Sequence, residues 1–265
     1  MNNLSNRSIM CLHKMIREMY RKKIEMPRII KCATHLLDIG VSCNSIPSAI
    51  IKDCISRQYN DGGFVGVADT IWSIAFLKHY GETETVNKAL MWLKKQKNSN
   101  GYGRSSRDMT RIPVTGVAYY LLPELASRED INDLVELWLS EKNSLTYKAG
   151  FTLMALKKNS DKIKISDNII QDTIEWLISQ QDEDGGFAPW KGHPVGTNIY
   201  CTSIAALGLL SYSDIVDPKY VGNIYNYIIN KQLKNGLWPY HEIEDGGAWG
   251  ARTLFELERM HINVY

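Results

Sequence analysis

Several things are scarce in this chain, and each shortage excludes a class of explanation. Charge of one sign is scarce: 265 residues carry a formal +2, too little for a protein that wraps nucleic acid. No stretch reaches the roughly 18 apolar residues of a membrane-spanning helix, so no transmembrane segment is expected. Met1 to Lys23 has no continuous apolar stretch, so no signal peptide is expected. Cysteines number five (Cys11, Cys32, Cys43, Cys54 and Cys201), with no CxxC pair. An odd count without metal-ligand spacing reads as reduced thiols, and a cytoplasmic location is expected. Strand-like alternation is hard to find. No linker rich in Pro, Gly or Ser divides the chain, which predicts one domain over residues 1–265.

What is present is helical periodicity and a repeated corner. Hydrophobic residues make up 44% of the chain, enough for a sizeable core. Apolar spacing predicts twelve helices, at roughly 7–22, 27–40, 47–58, 71–80, 83–97, 113–122, 128–141, 146–157, 166–180, 197–210, 218–231 and 249–261. The first, within residues 1–23, is expected to be peripheral, with repeats from about 47 to 260. Gln181-Asp182-Glu183-Asp184-Gly185-Gly186-Phe187 separates two of these helices. Gln58 to Phe64 repeats it nearly letter for letter, Gln232 to Trp238 is a third copy, and Gln96 to Tyr102 a looser fourth. A copy near Glu141-Lys142-Asn143 has lost its Gln and Gly. The spacing, about 38–42 residues, lies in the range of helix-pair repeats.

The corner has a physical rationale. Asp-Gly-Gly tolerates the positive φ of a sharp reversal. The Gln is expected to bond orphan backbone groups at the start of the next helix, and the aromatic (Phe64, Phe187 or Trp238) to pack beneath the turn. These residues build the fold and do not do chemistry. Helices before a corner are more charged, and those after it smaller and more apolar, as outer and inner layers require. Six such pairs predict an all-α, closed (α/α)6 barrel, because closure leaves no apolar end uncovered.

QxxDGGF followed by an Asp-Thr-…-Ala-…-Leu helix resembles the QW-type repeat of the prenyltransferase/squalene-cyclase superfamily, over roughly Pro47 to Met260. The resemblance implies an α/α toroid. For activity it implies terpene cyclisation started by a carboxylic acid, or a prenyltransferase subunit, since one barrel hosts several chemistries. In the family's class II cyclases the proton donor is the middle acid of Asp-x-Asp-Asp-Thr-Ala at an inner-helix start. The matching segment here is Gly66-Val67-Ala68-Asp69-Thr70-Ile71. Asp69 is kept, but Ala68 occupies the donor position, so the motif is degenerate. Glu242-Ile243-Glu244-Asp245 has the same acid-x-acid-acid spacing before another inner helix. Adjacent carboxylates raise one another's pKa. The expected general acid is therefore Asp245 or Glu244, with His241 or Asp69 as hydrogen-bond partner; the competing reading is a solvated turn. Tyr200-Cys201-Thr202 resembles the zinc segment of protein prenyltransferases, but Ile199 stands where an Asp would ligate, so no metal is expected.

Arg104, Arg107, Arg111, Lys148 and Arg252 lie near inner-helix starts. Converging at one mouth, they would grip a diphosphate. Trp72, Tyr119, Tyr147, Tyr200, Phe151 and Trp249 lie on or beside inner helices, where they would shield a carbocation or simply fill the core. The joint expectation is a terpene-cyclase-like enzyme. It would bind an isoprenoid (a prenyl diphosphate or polyprene) in a central apolar cavity and cyclise it by acid protonation. The alternative is a non-catalytic or partner-dependent toroid that holds a lipid or peptide, or a prenyltransferase-like subunit. No cofactor is expected, magnesium entering only with a diphosphate. The expected partners are the apolar substrate and, beyond it, a second copy or a second helical subunit; nucleic acid is not among them.

Overall fold

A computed structural model describes residues 4–262. It contains twelve α-helices: α1 (Leu4–Arg21), α2 (Met26–Asp38), α3 (Ser48–Ser56), α4 (Val67–Lys78), α5 (Thr83–Gln96), α6 (Ile112–Leu121), α7 (Arg128–Glu141), α8 (Thr146–Lys158), α9 (Asp167–Ser179), α10 (Ile199–Leu210), α11 (Pro218–Lys231) and α12 (Gly247–Ile262). Short 3-10 turns occupy Cys43–Ser45 and Pro123–Leu125. The only extended pairing among the described residues is an isolated bridge between Asn98 and Gly101.

The even-numbered helices form a closed ring. α2 packs on α4, α4 on α6, α6 on α8, α8 on α10, α10 on α12, and α12 returns to α2. Odd-numbered helices lie outside: α5 against α4, α7 against α6 and α8, α9 against α8, and α11 against α10 and α12. This is the expected all-α (α/α)6 toroid. Composition explains the layers. Inner α10, IYCTSIAALGLL, is buried nearly all round, whereas outer α9 buries only Thr173, Ile174 and Leu177. A helix crowded on every side cannot keep a charged face, and one that meets water on one side can.

The repeated corners are built alike. Gly62, Gly185 and Gly236 take φ of +97°, +85° and +89°, which a Cβ would strain. Asp61, Asp184 and Asn235 accept the backbone N–H two residues on. The Gln acts differently from the expectation above. Gln58 Nε2 donates to the carbonyls of Gly62 (2.9 Å) and Thr85 (2.8 Å). Gln181 Nε2 donates likewise to Gly185 and Tyr220. The amide thus ties the turn to the next outer helix, not to the inner helix start. Inner helices are tied by threonine instead: Thr70, Thr115 and Thr202 accept the backbone N–H of Phe64, Tyr102 and Phe187. The degenerate corner keeps its reversal through Asn143, at φ +63°, a residue that visits this region more readily than most.

The first helix is not peripheral. α1 packs on α12 and α2 and buries Leu12 and Ile16 completely. Gln232, the third corner glutamine, donates to Ser8 Oγ of α1 (2.8 Å) and to Gly236. Glu258 of α12 accepts the N–H groups of Leu4 and Ser5. α1 therefore takes the outer position that follows the last corner, and sequence-distant ends meet to shut the ring.

Candidate active site

The inner helices all begin at one rim. There, α2 supplies Arg28 and Lys31, α4 supplies Asp69 and Trp72, and the loop before α12 supplies Glu242, Glu244 and Asp245. Together they line a pocket of about 530 Å³, within the ~300–1,000 Å³ range of small-molecule sites. Gly66 takes the cap position of α4 and Asp69 sits in the first turn, where it lines the pocket.

The carboxyls of this rim fall into two states. Burial pushes the Asp69 carboxyl above its ordinary value; Lys31 opposes this and Glu25 adds to it, with a net rise. Glu244 goes the other way. Burial raises it, but the Arg28 guanidinium, whose Nε donates to Oε1 at 2.5 Å, overrides burial and holds the carboxylate below its usual range. Glu242 is raised by its hydrogen bond and like charge with Glu244. Asp245 is ion-paired with Lys31, whose ammonium also lies 5.5 Å from the Trp72 ring centroid. Arg28 thereby favours the ionised form of Glu244, because an adjacent cation stabilises the charged carboxylate. His241 is exposed and packs on Tyr240 at 4.3 Å.

Beneath the pocket, side chains meet across the ring. Trp249 of α12 touches Trp72 of α4 (5.9 Å between centroids) and Phe151 of α8 (5.8 Å). His35 of α2 sits between Trp72 (5.0 Å) and Trp249 (4.3 Å). These helices are not all ring neighbours, so the contacts lie on the axis. The expected central cavity is thus occupied at this level by aromatics, and the open space lies above them at the rim. His35 is fully buried, and burial, then Arg252 and Lys31, depress its pKa, which keeps it neutral. Around the rim, Tyr147 faces Tyr200 (5.9 Å) and Tyr200 stacks on Tyr240 (6.0 Å, 22°). Burial and the nearby Asp245 raise the Tyr200 hydroxyl well above its ordinary pKa.

The five cations expected at one mouth do not converge. Arg104 and Arg107 are exposed on the loop before α6. Arg111 is bound to Asp108 by Nε (2.8 Å) and Nη2 (3.2 Å). Lys148 pairs with Glu141. Arg252 lies at the opposite end of the barrel: it donates to Asp38 Oδ2 and to the Tyr120 hydroxyl, each at 2.6 Å, near the ends of α2 and α6. Arg111, Lys148 and Arg252 each have a carboxylate within reach, and such an ion pair outcompetes an open mouth. Tyr119 also points away from the axis. It packs on Tyr102 (6.0 Å), with Asp130 and Asp133 of α7 as its charged neighbours; Tyr120 is the residue that reaches the axis.

The sequence reading missed Arg28 and Lys31. Three residues apart in the first turns of α2, they share one face, and that spacing was legible. They lie in α2, before Pro47, where the resemblance to the repeat begins. Among the described residues no three His, Cys, Asp or Glu side chains are gathered to hold a metal. None of the described helices is long and apolar enough to cross a membrane.

Comparison with known proteins follows the geometry. Residues 129–254 match the prenyltransferase alpha-alpha toroid domain. The chain has an alpha-alpha toroid fold. It is 30% identical over 79 residues to the lanosterol synthase of Pneumocystis carinii, and 29% identical over 103 residues to a probable squalene–hopene cyclase of Sinorhizobium fredii. These matches cover 26% and 36% of this chain but only 11% and 16% of those proteins, so the chain spans a small part of the curated relatives it matches. The structure of a type II terpene cyclase from Scytonema, in complex with its substrate geranylgeranyl dihydroxybenzoate, superposes with a TM-score of 0.73 at 13% identity over 98% of both chains. That toroid and this one share a fold from end to end.

Proposed function

We propose that this chain is a terpene-cyclase-like enzyme that starts ring closure by protonating an isoprenoid alkene or epoxide at the rim pocket, and that Asp69 is the proton donor. The observation that carries this reading is the contrast among the rim acids. Glu244 and Asp245 face a cation each, while the half-buried Asp69 is raised by desolvation. A donor must keep its proton near neutral pH until the alkene arrives, and desolvation favours that form. Ala68, at the position where the family keeps its donor, leaves room beside Asp69 and shifts the role by one residue. The cation formed on the substrate would lie near the face of Trp72, which lines the pocket and whose quadrupole stabilises it. Asp245 and Lys31 would hold the pocket's wall in place and exclude water from the cation. A toroid neighbour matched over its full length acts on a geranylgeranyl compound, which supports an isoprenoid here.

The test is product formation from geranylgeranyl substrates, followed by gas chromatography–mass spectrometry. Asp69→Asn should lower the rate by about 100-fold or more, the usual contribution of a positioned acid, without loss of helicity. Asp245→Asn should act less strongly. Cyclised product at the wild-type rate from Asp69→Asn would remove this assignment.

A further inference from the structure

The charges around the rim pocket constrain the head group of whatever enters it. Five carboxyl side chains line the pocket (Glu25, Asp69, Glu242, Glu244 and Asp245) against three cations, Arg28, Lys31 and Arg57. Each cation is also engaged. Arg28 donates to Glu244 and Lys31 pairs with Asp245. Arg57 makes two bonds, 3.1 and 3.2 Å, to Asp53. Arg28 reaches Glu244 through Nε, and Glu244 is 5% exposed, so drawing Arg28 toward a diphosphate would weaken the pairing of a buried carboxylate, which is disfavoured.

Resting on the reading of the rim pocket as the substrate site, we infer that the site takes an isoprenoid whose head is electrically neutral (an alcohol, an epoxide or an arene) and rejects isoprenoid diphosphates. Local field and pairing both act in this direction: a multiply charged anion meets a lining in which carboxyl groups outnumber cations, and each of those cations is already shared with a carboxylate. Apolar chain and aromatic wall supply the attraction, with Trp72 at the floor.

Binding can be followed apart from turnover by tryptophan fluorescence of the full chain, titrated with geranylgeraniol and with geranylgeranyl diphosphate, each with and without Mg²⁺. The alcohol should bind at least tenfold more tightly under both conditions. Glu25→Gln/Glu242→Gln, which removes two carboxyl groups and neither partner of Arg28 or Lys31, should tighten diphosphate binding several-fold and change alcohol binding by less. Diphosphate binding equal to or tighter than the alcohol, with or without Mg²⁺, would overturn the inference, as would an equal response of both ligands to the double variant. Selective binding of the alcohol with no cyclised product leaves the inference standing and removes the cyclase reading. Quenching by neither ligand removes the pocket as a substrate site, and the inference with it.

Discussion

The two sides of the inner ring solve the same packing problem in opposite ways. Along α6, α8 and α10 the backbones nearly touch. A Cβ on Gly150 of α8 would overlap the Ile204 carbonyl of α10, one on Gly208 would sit 2.8 Å from the Gly150 Cα, and one on Gly116 of α6 would lie 2.9 Å from the Phe151 Cβ. Helices α2 and α4 contain no glycine at all. There His35, Trp72, Lys31 and Asp69 hold the ring apart, and the pocket opens above them. Small residues spend no volume and leave none over; large ones prop a gap whose mouth they cannot fill. The glycine side carries the fold, and the propped side carries the titratable groups.

That division can be broken from either side. The largest expected effect is Gly150→Val. The blocking atoms are backbone, which cannot swing away, so the chain should lose about 3 kcal/mol or fail to fold; a urea midpoint near wild type would mean that the α8–α10 contact yields. Next is Asp38→Asn at the closed end, where Asp38 accepts from Arg252 and lies 3.0 Å from His79 Nε2. Burial raises the Asp38 carboxyl, but His79 and Arg252 outweigh burial and set it below its ordinary value. A depressed folded pKa stabilises above the unfolded value of about 3.9, and that stability is lost as pH falls through the folded value. The variant should therefore lose about 2 kcal/mol at pH 7, as for a hydrogen bond to a charged group, and match wild type once acid has protonated Asp38. Equal losses at every pH would place the effect in packing instead.

The smallest effect has the opposite sign. Asp69 has a raised folded pKa, so the folded state loses stability as pH rises from the unfolded value through the folded one. Asp69→Asn should then slightly raise the melting midpoint at pH 7 and leave it unchanged near pH 3. A lowered midpoint at pH 7 would show that the carboxylate is a structural partner, not a group held at some expense for chemistry.

Much of this was readable beforehand, and the residues show why. Gln58, Gln181 and Gln232 each precede a turn glycine at fixed distance, so the corners, and with them twelve helices, stand out from local pattern alone. Even the missing corner keeps Asn143 for its φ. The role of each Gln was not readable, since Thr85, Tyr220 and Ser8 come from other helices. Nor was α1's place: its partners Gln232 and Glu258 lie more than two hundred residues away in the chain. The cation cluster was misjudged for a related reason. Arg252 and Lys148 sit near inner-helix starts in sequence, yet Asp38 and Glu141 claim them in space.

Local sequence by itself determined the number of helices, their alternation between layers and the shape of the turns, because capping, φ preference and hydrophobic spacing act over a few residues. Tertiary structure alone decided which acids meet a cation and which are left to burial. Arg28 meets Glu244 and Lys31 meets Asp245 only after the ring has shut, and the charge state of a carboxyl follows from the water it loses and the cation it gains there.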